Sequence, residues 1–258
     1  MNTFRIKKTE KIIRQRAGRV VKPTTAIILA AGKGGRLAPL TNEIPKCLLQ
    51  IGKTTIIQFQ IKKLEQVGIN NIVIVTGYHE EKVRRTCGAD FTYIYNKNFA
   101  TTNSLYSLHL AREYAGKGCL VLNSDVIFHF DLIKKLLDSD FPDAIIVDFR
   151  ENLGEEEMKV IASGSHLHKI SKDISPPQAQ GENLGIVKLS SKGAGLLMKI
   201  AEREFKNGNK NLWVPQGIDR MLPRYPFYVV PTNNLPWIEI DYVHDLERAR
   251  KDIYPLCK

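Results

Sequence analysis

The sequence is short of several things, and each shortage removes a class of protein. No apolar run approaches the ~20 residues that a membrane-spanning helix needs, and no apolar stretch opens the chain as an export signal would. Both point to a cytoplasmic protein without membrane insertion. Only four cysteines occur, Cys47, Cys87, Cys119 and Cys257. None forms a CxxC pair or joins histidines at zinc-site spacing, so neither a disulfide framework nor a structural zinc site is expected. There is no internal repeat, no low-complexity tract and no linker of biased composition. The six histidines form no recognisable catalytic set. What remains, at 43% hydrophobic and 25% charged over 258 residues, is an ordinary globular composition with enough chain for one large domain.

The formal net charge of +11 is unevenly spread. Residues 1–23 hold eight basic residues, from Arg5 to Lys22, against one acid, Glu10. This segment reads as a basic arm in front of a domain covering 24–258. The body is only mildly basic, which suits small anionic substrates and gives no reason to expect stable nucleic-acid binding.

Within the body, short apolar runs alternate with segments of helical periodicity. Strands are expected at 25–29, 71–76, 91–95, 119–122, 144–147, 185–189 and 237–240. Helices are expected at 56–67, 80–86, 104–114, 131–137, 192–205 and 243–251. The alternation implies parallel βαβ units covered by helices on both faces. The expected fold is therefore a three-layer α/β/α, Rossmann-like, mostly parallel sheet. Polar, Gly- and Pro-bearing residues 151–183 break the alternation and read as a small β-rich insert lying over the sheet.

Three blocks carry chemistry. The first is the glycine-rich turn after the first strand, Leu29, Ala30, Ala31, Gly32, Lys33, Gly34, Gly35 and Arg36, with Lys46 about ten residues on. Small residues let backbone N–H groups approach phosphate oxygens, and two cations add charge. It has neither the glycine spacing of a dinucleotide fingerprint nor the Gly-Lys-Ser/Thr of a P-loop. The second block is a pair of acids, Asp125 and Asp241, each at the end of an expected strand, where ligands bind in open α/β sheets. Two converging carboxylates offer hard oxygen donors to Mg²⁺, although each could equally cap the element that follows. The third block is the run Asn96–Leu110, which reads NKNFATTNSLYSLHL.

Ala-Ala-Gly-x-Gly-x-Arg-Leu followed by Pro-Lys-Cys-Leu-Leu resembles the opening of the nucleotidyltransferase family that activates sugar phosphates and phosphocholine. One departure is Gly35, where members usually carry Ser or Thr. Glu239-Ile240-Asp241 with Asp245 and Leu246 resembles the family's second metal-site pattern. The Asn103-Ser104-Leu105-Tyr106-Ser107-Leu108 run is similar to the branch acting on phosphocholine and 2-aminoethylphosphonate.

The resemblance implies a Mg²⁺-dependent transfer of CMP from CTP to a small phosphorylated or phosphonate amino alcohol, with release of pyrophosphate. It assigns Arg36 and Lys46 to catalysis. The nucleotide falls to Leu29, Ala30, Ala31, Gly32, Gly34, Gly35, Gly77, Tyr78, Asn103 and Ser104. Metal binding falls to Asp125 and Asp241, and the acceptor to Glu182, Trp237 and Tyr106. Basic residues of the insert, Lys159, His168, Lys169 and Lys172, are further candidates for the acceptor phosphate. A homodimer is compatible with the family. The alternatives are a sugar-1-phosphate or inositol-1-phosphate acceptor, a glycosyltransferase, or a non-catalytic nucleotide- or RNA-binding module. The glycosyltransferase reading lacks its Asp-x-Asp pair, because 123–125 reads Asn-Ser-Asp.

Overall fold

The computed structural model describes residues 22–258. The basic arm therefore lies, apart from Lys22 and Pro23, outside the described residues. The organising element is a nine-stranded sheet in the order β3-β2-β1-β4-β9-β6-β10-β8-β7. Its strands are β1 (Thr25–Ala30), β2 (Asn71–Thr76), β3 (Thr92–Tyr95), β4 (Cys119–Asn123), β6 (Ala144–Asp148), β7 (Lys159–Ser163), β8 (His166–Ser171), β9 (Gly181–Leu189) and β10 (Tyr228–Pro231). A separate two-stranded ribbon pairs β5 (Val126–Phe128) with β11 (Trp237–Glu239).

Strands β3, β2, β1 and β4 run parallel, as their unalternating apolar sequences require. Both faces are covered. Ile27, Leu29, Val73, Val75 and Val121 pack on one side with Leu105 and Leu108 of α3 (Ser104–Leu110) and Leu197 of α6 (Ser191–Lys206). The alternate residues Ala26, Ile28, Ile72, Ile74 and Leu120 pack on the other side. Their partners are Ile57, Ile61 and Leu64 of α1 (Ile56–Gln66), Val83 of α2 (Glu80–Cys87) and Leu132 and Leu136 of α5 (Phe130–Asp138). The remaining helices are short: α4 (Arg112–Ala115), α7 (Val214–Asp219), α8 (Val243–Arg248) and α9 (Tyr254–Cys257). Among the described residues no helix is long and apolar enough to cross a membrane. The four cysteines are free.

The insert differs from its expected place. Strands β7 and β8 form a hairpin, but it is not laid over the sheet. β7 pairs with β9 and β8 with β10, so the hairpin extends the sheet at its edge. Strand β9 is longer than its apolar run suggested, because Gly181, Glu182 and Asn183 continue its pairing with β6 and β7.

Candidate active site

The glycine loop leaves β1, which lies between β2 and β4 inside the sheet, and closes through a 3₁₀ turn at Gly35–Leu37, whose Leu37 is fully buried. Gly34 sits at φ +73, and a Cβ there would fall 2.8 Å from the Lys46 Cβ. Only glycine fits, because the backbone is left-handed and Lys46 passes directly behind it. Lys46 begins a second 3₁₀ turn, Lys46–Leu48. Cys47 and Leu48 are buried there and turn the lysine toward the strand ends.

The two aspartates meet because of the ribbon. Asp125 lies in the turn between β4 and β5, and β11 pairs antiparallel with β5 with Glu239 opposite Val126. The Ile240 amide then donates to the Asp125 carbonyl at 3.0 Å, which sets Asp241 beside Asp125. The Asp125 turn is pinned by Gln60 of α1, fully buried, whose Nε2 donates to the Asn123 and Val126 carbonyls at 2.8 and 2.9 Å. The Asp241 turn is held by Asp245, whose Oδ2 accepts from the amides of Asp241 and Tyr242 at 3.0 and 2.8 Å.

The Lys46 ammonium bridges the pair, 2.8 Å from Asp125 Oδ2 and 2.6 Å from Asp241 Oδ1. Burial alone would lower its pKa, but the two carboxylates outweigh that and hold it above the usual lysine value. Arg36 reaches Asp241 Oδ2 at 2.6 Å and Glu156 at 3.3 Å, with its guanidinium 5.1 Å from the Tyr242 ring centre. A third acid joins the set. Carboxylate oxygens of Asp125, Glu239 and Asp241 all lie within 4.8 Å of one another. Burial, then the neighbouring Asp125 and Asp241, push the Glu239 carboxyl well above the usual range.

Asp125 Oδ1 is buried with no hydrogen-bond partner among the described residues. An orphaned carboxylate oxygen inside a cluster of three acids fits a hard divalent cation such as Mg²⁺. Glu239 was passed over in the sequence. Its signal was the two-residue spacing to Asp241, which puts both side chains on one side of an extended segment.

Two adjoining cavities flank this cluster. The first, about 400 Å³, is lined on one wall by Leu29, Ala31, Gly32, Gly34, Gly35 and Arg36, and on the other by Asn96, Phe99, Asn103, Ser104 and Trp213. Ala30 does not line it; its side chain is buried in the core on the opposite face. Gly77 and Tyr78 do not line it either. A Cβ at Gly77 would fall 2.6 Å from both the Ala31 carbonyl oxygen and Phe99 Cβ, so this glycine backs the loop. The Tyr78 hydroxyl donates to the Asn42 carbonyl. Asn103 and Ser104 reach the cavity wall while already engaged. Asn103 Oδ1 accepts from the Ser104 amide at 2.8 Å to cap α3, and Ser104 Oγ accepts from the Val214 amide at 2.9 Å.

The second cavity, about 500 Å³, shares Glu156, Glu239 and Asp241 with the first. Glu182 and Trp237 line it. Glu182 is 5% exposed and ion-paired with Arg150, whose guanidinium stands 5.9 Å over Trp237. Burial pushes the Glu182 carboxyl up to about 7 against the pull of Arg150. Tyr106 is in neither cavity. Its ring packs 5.2 Å from Phe205 and its hydroxyl accepts from Asn98, because its position on α3 faces α6. Lys159 is fully buried and donates to the carbonyls of Gly154, Glu155 and Glu157, holding the insert's first loop. Of the insert's basic residues only Lys172 lines the first cavity, and none lines the second.

A mixed sheet whose parallel half carries a glycine loop and two cations, set against three acids from the β4–β5 turn and the β5–β11 ribbon, defines an enzyme that handles nucleotide phosphates. Residues 25–144 match the nucleotidyl transferase family. It is 25% identical over 246 residues to the CTP:phosphoglutamine cytidylyltransferase of Campylobacter jejuni, covering 86% of this chain and 97% of that one. It is 36% identical over 106 residues to the choline-phosphate cytidylyltransferase of Streptococcus pneumoniae, a match that spans 40% of this chain and 45% of that relative. Among solved structures, the CTP:phosphocholine cytidylyltransferase from S. pneumoniae superposes with a TM-score of 0.74 at 26% identity, over 90% of this chain and 99% of that one.

Proposed function

We propose that the protein transfers CMP from CTP to a small phosphorylated or phosphonate amino alcohol, releasing pyrophosphate. The observation that carries this reading is the Lys46 ammonium held between Asp125 and Asp241 at the mouth of the glycine loop. It sets fixed positive charge where a triphosphate held by that loop would place its α-phosphorus. The names of the similar proteins support the nucleotide and the acceptor class.

In this reading the loop amides from Ala31 to Gly35 receive the β- and γ-phosphates, and Arg36 exchanges its Asp241 and Glu156 partners for the departing pyrophosphate. Lys46 offsets charge building on the α-phosphoryl oxygens in the transition state. The acceptor's own phosphate or phosphonate oxygen is already an anion at neutral pH, so no side chain need act as a base. Positioning and electrostatics carry the rate. Asp125, Glu239 and Asp241 would hold Mg²⁺, which supplies Lewis-acid neutralisation of phosphate charge. Asn103, Ser104 and Phe99 flank the cytosine and ribose, and Glu182 and Trp237 the acceptor.

The test is pyrophosphate release with CTP, UTP, ATP and GTP, each against phosphocholine, phosphoethanolamine, 2-aminoethylphosphonate, inositol-1-phosphate and glucose-1-phosphate, with and without Mg²⁺. Release with CTP and an amino-bearing acceptor, dependent on the metal, is expected. Release only with a sugar phosphate or inositol phosphate would overturn the acceptor assignment.

A further inference from the structure

We propose that Arg150 makes the enzyme select acceptors whose tail ends in an N–H-bearing ammonium group over those ending in a quaternary ammonium. This rests on the cytidylyl-transfer reading and names the acceptor class for it.

The second cavity opens directly from the acid cluster through Glu156, Glu239 and Asp241. An acceptor whose phosphate lies at Lys46 and Arg36 therefore extends its tail there. A quaternary ammonium has no hydrogen to donate and is held by aromatic faces. In this site those faces carry the protein's own cations. Arg150 stands over Trp237 at 5.9 Å and Arg36 over Tyr242 at 5.1 Å. Tyr242 is further stacked on His244 at 5.4 Å with 9° between the rings. A trimethylammonium entering here meets guanidinium where it needs a bare ring.

The carboxylates present the opposite preference. The one hydrogen bond to the buried Glu182 side chain among the described residues comes from Arg150 to Oε2, which leaves Oε1 for another donor. Glu157 Oε2, in the same wall, is buried without a partner. A primary ammonium supplies three N–H donors and can satisfy the free Glu182 oxygen, with the Glu157 carboxylate adding negative charge to the same wall. A quaternary group would cover that oxygen and leave it unpaired, the situation in which a site built for hydrogen bonding rejects the analogue that lacks the donor. Arg150 thus acts twice. It covers the Trp237 ring, one of the faces a quaternary group could use in this cavity, and it pairs with one oxygen of the Glu182 carboxylate, leaving the other free.

The experiment measures kcat/KM by pyrophosphate release at saturating CTP, with phosphoethanolamine, 2-aminoethylphosphonate and phosphocholine. It uses the full chain as wild type, Arg150→Ala and Arg150→Lys. Wild type is expected to favour the two primary amines over phosphocholine by about tenfold or more. Arg150→Ala should narrow that ratio by raising phosphocholine kcat/KM through a lower KM. Arg150→Lys keeps a positive partner for Glu182, guards against a folding failure in the alanine variant, and should narrow the ratio less. Equal use of phosphocholine by wild type, or an unchanged ratio in both folded variants, overturns the inference while cytidylyl transfer stands. No release with any acceptor overturns the transfer reading, and this inference with it.

Discussion

The two cavities that meet at Asp241 are built in different ways. The wall of the first between Leu29 and Arg36 is mostly backbone, and its charges come from Arg36 and Lys46, all within eighteen positions of one another. The wall of the second is mostly side chains drawn from separate segments. Arg150 follows β6, Glu182 is the second residue of β9, Glu157 precedes β7 and Trp237 opens β11. The first is specified by local geometry: a left-handed Gly34 and a lysine behind it leave few other sequences possible. The second is specified by ion pairs across the fold, which many sequences could supply. The two regions can therefore be altered separately, the first through its backbone and the second through its side chains.

The largest expected effect breaks the first region at its acids. Asp125→Ala removes an unpaired buried Oδ1 and one of the two partners of Lys46, which keeps Asp241, and it relieves the repulsion of Asp125 on Glu239, so the fold is expected to persist. With Asp125 in the proposed Mg²⁺ site, its removal is expected to cost about 4 kcal/mol of transition-state stabilisation, or roughly a thousandfold in kcat. Pyrophosphate release alongside a thermal melt checks both halves. Unaltered turnover would remove Asp125 from the metal site.

A second break, smaller in turnover, falls on the backbone. Gly34→Ala forces a Cβ to within 2.8 Å of the Lys46 Cβ, at a φ of +73. The left-handed cost is about 1–2 kcal/mol of stability, and displacing Lys46 by a fraction of an ångström should lower kcat by up to about a hundredfold. The ratio between acceptors should hold, because nothing in the second cavity moves. A changed ratio would mean the two regions are not separable.

The same division explains what the sequence disclosed. The parallel half of the sheet was legible because β1, β2 and β4 are unbroken apolar runs with helical segments between them, whereas the antiparallel pairings of β9 and β8 that make the sheet mixed were not. The loop, Arg36, Lys46, Asp125 and Asp241 were legible because they sit in contiguous motifs. Glu239 was half-legible through its spacing to Asp241. Gln60 was not, since a glutamine on a helix shows no sign that it ties a turn sixty-odd residues away. Tyr106 was misplaced for a related reason: its motif fixes the helix, and only packing against Phe205 decides which way the residue faces. Arg150 left no trace, because its meaning lies in Glu182 and Trp237, which pairing of β9 with β6 and of β11 with β5 brings near.

The smallest expected effect sharpens the comparison from the acceptor side. Glu182 titrates at about 7, because burial outweighs Arg150. About one tenth of it is ionised at pH 6 and about nine tenths at pH 8. Only the carboxylate attracts an acceptor ammonium, so the acceptor KM should fall by up to about tenfold as pH rises through that window. Glu182→Gln keeps the shape and removes the charge, so its acceptor KM should lack this component and match the wild-type value measured near pH 6. The acceptor phosphate loses its own second proton near pH 6, but it does so equally for both proteins, and the difference between their profiles isolates Glu182. The KM for CTP should trace the same pH profile in wild type and variant, because Glu182 does not line the first cavity. Superimposable acceptor profiles would mean that Glu182 does not meet the ammonium, whereas divergent CTP profiles would mean that charge in the second cavity is felt in the first, across the three acids they share.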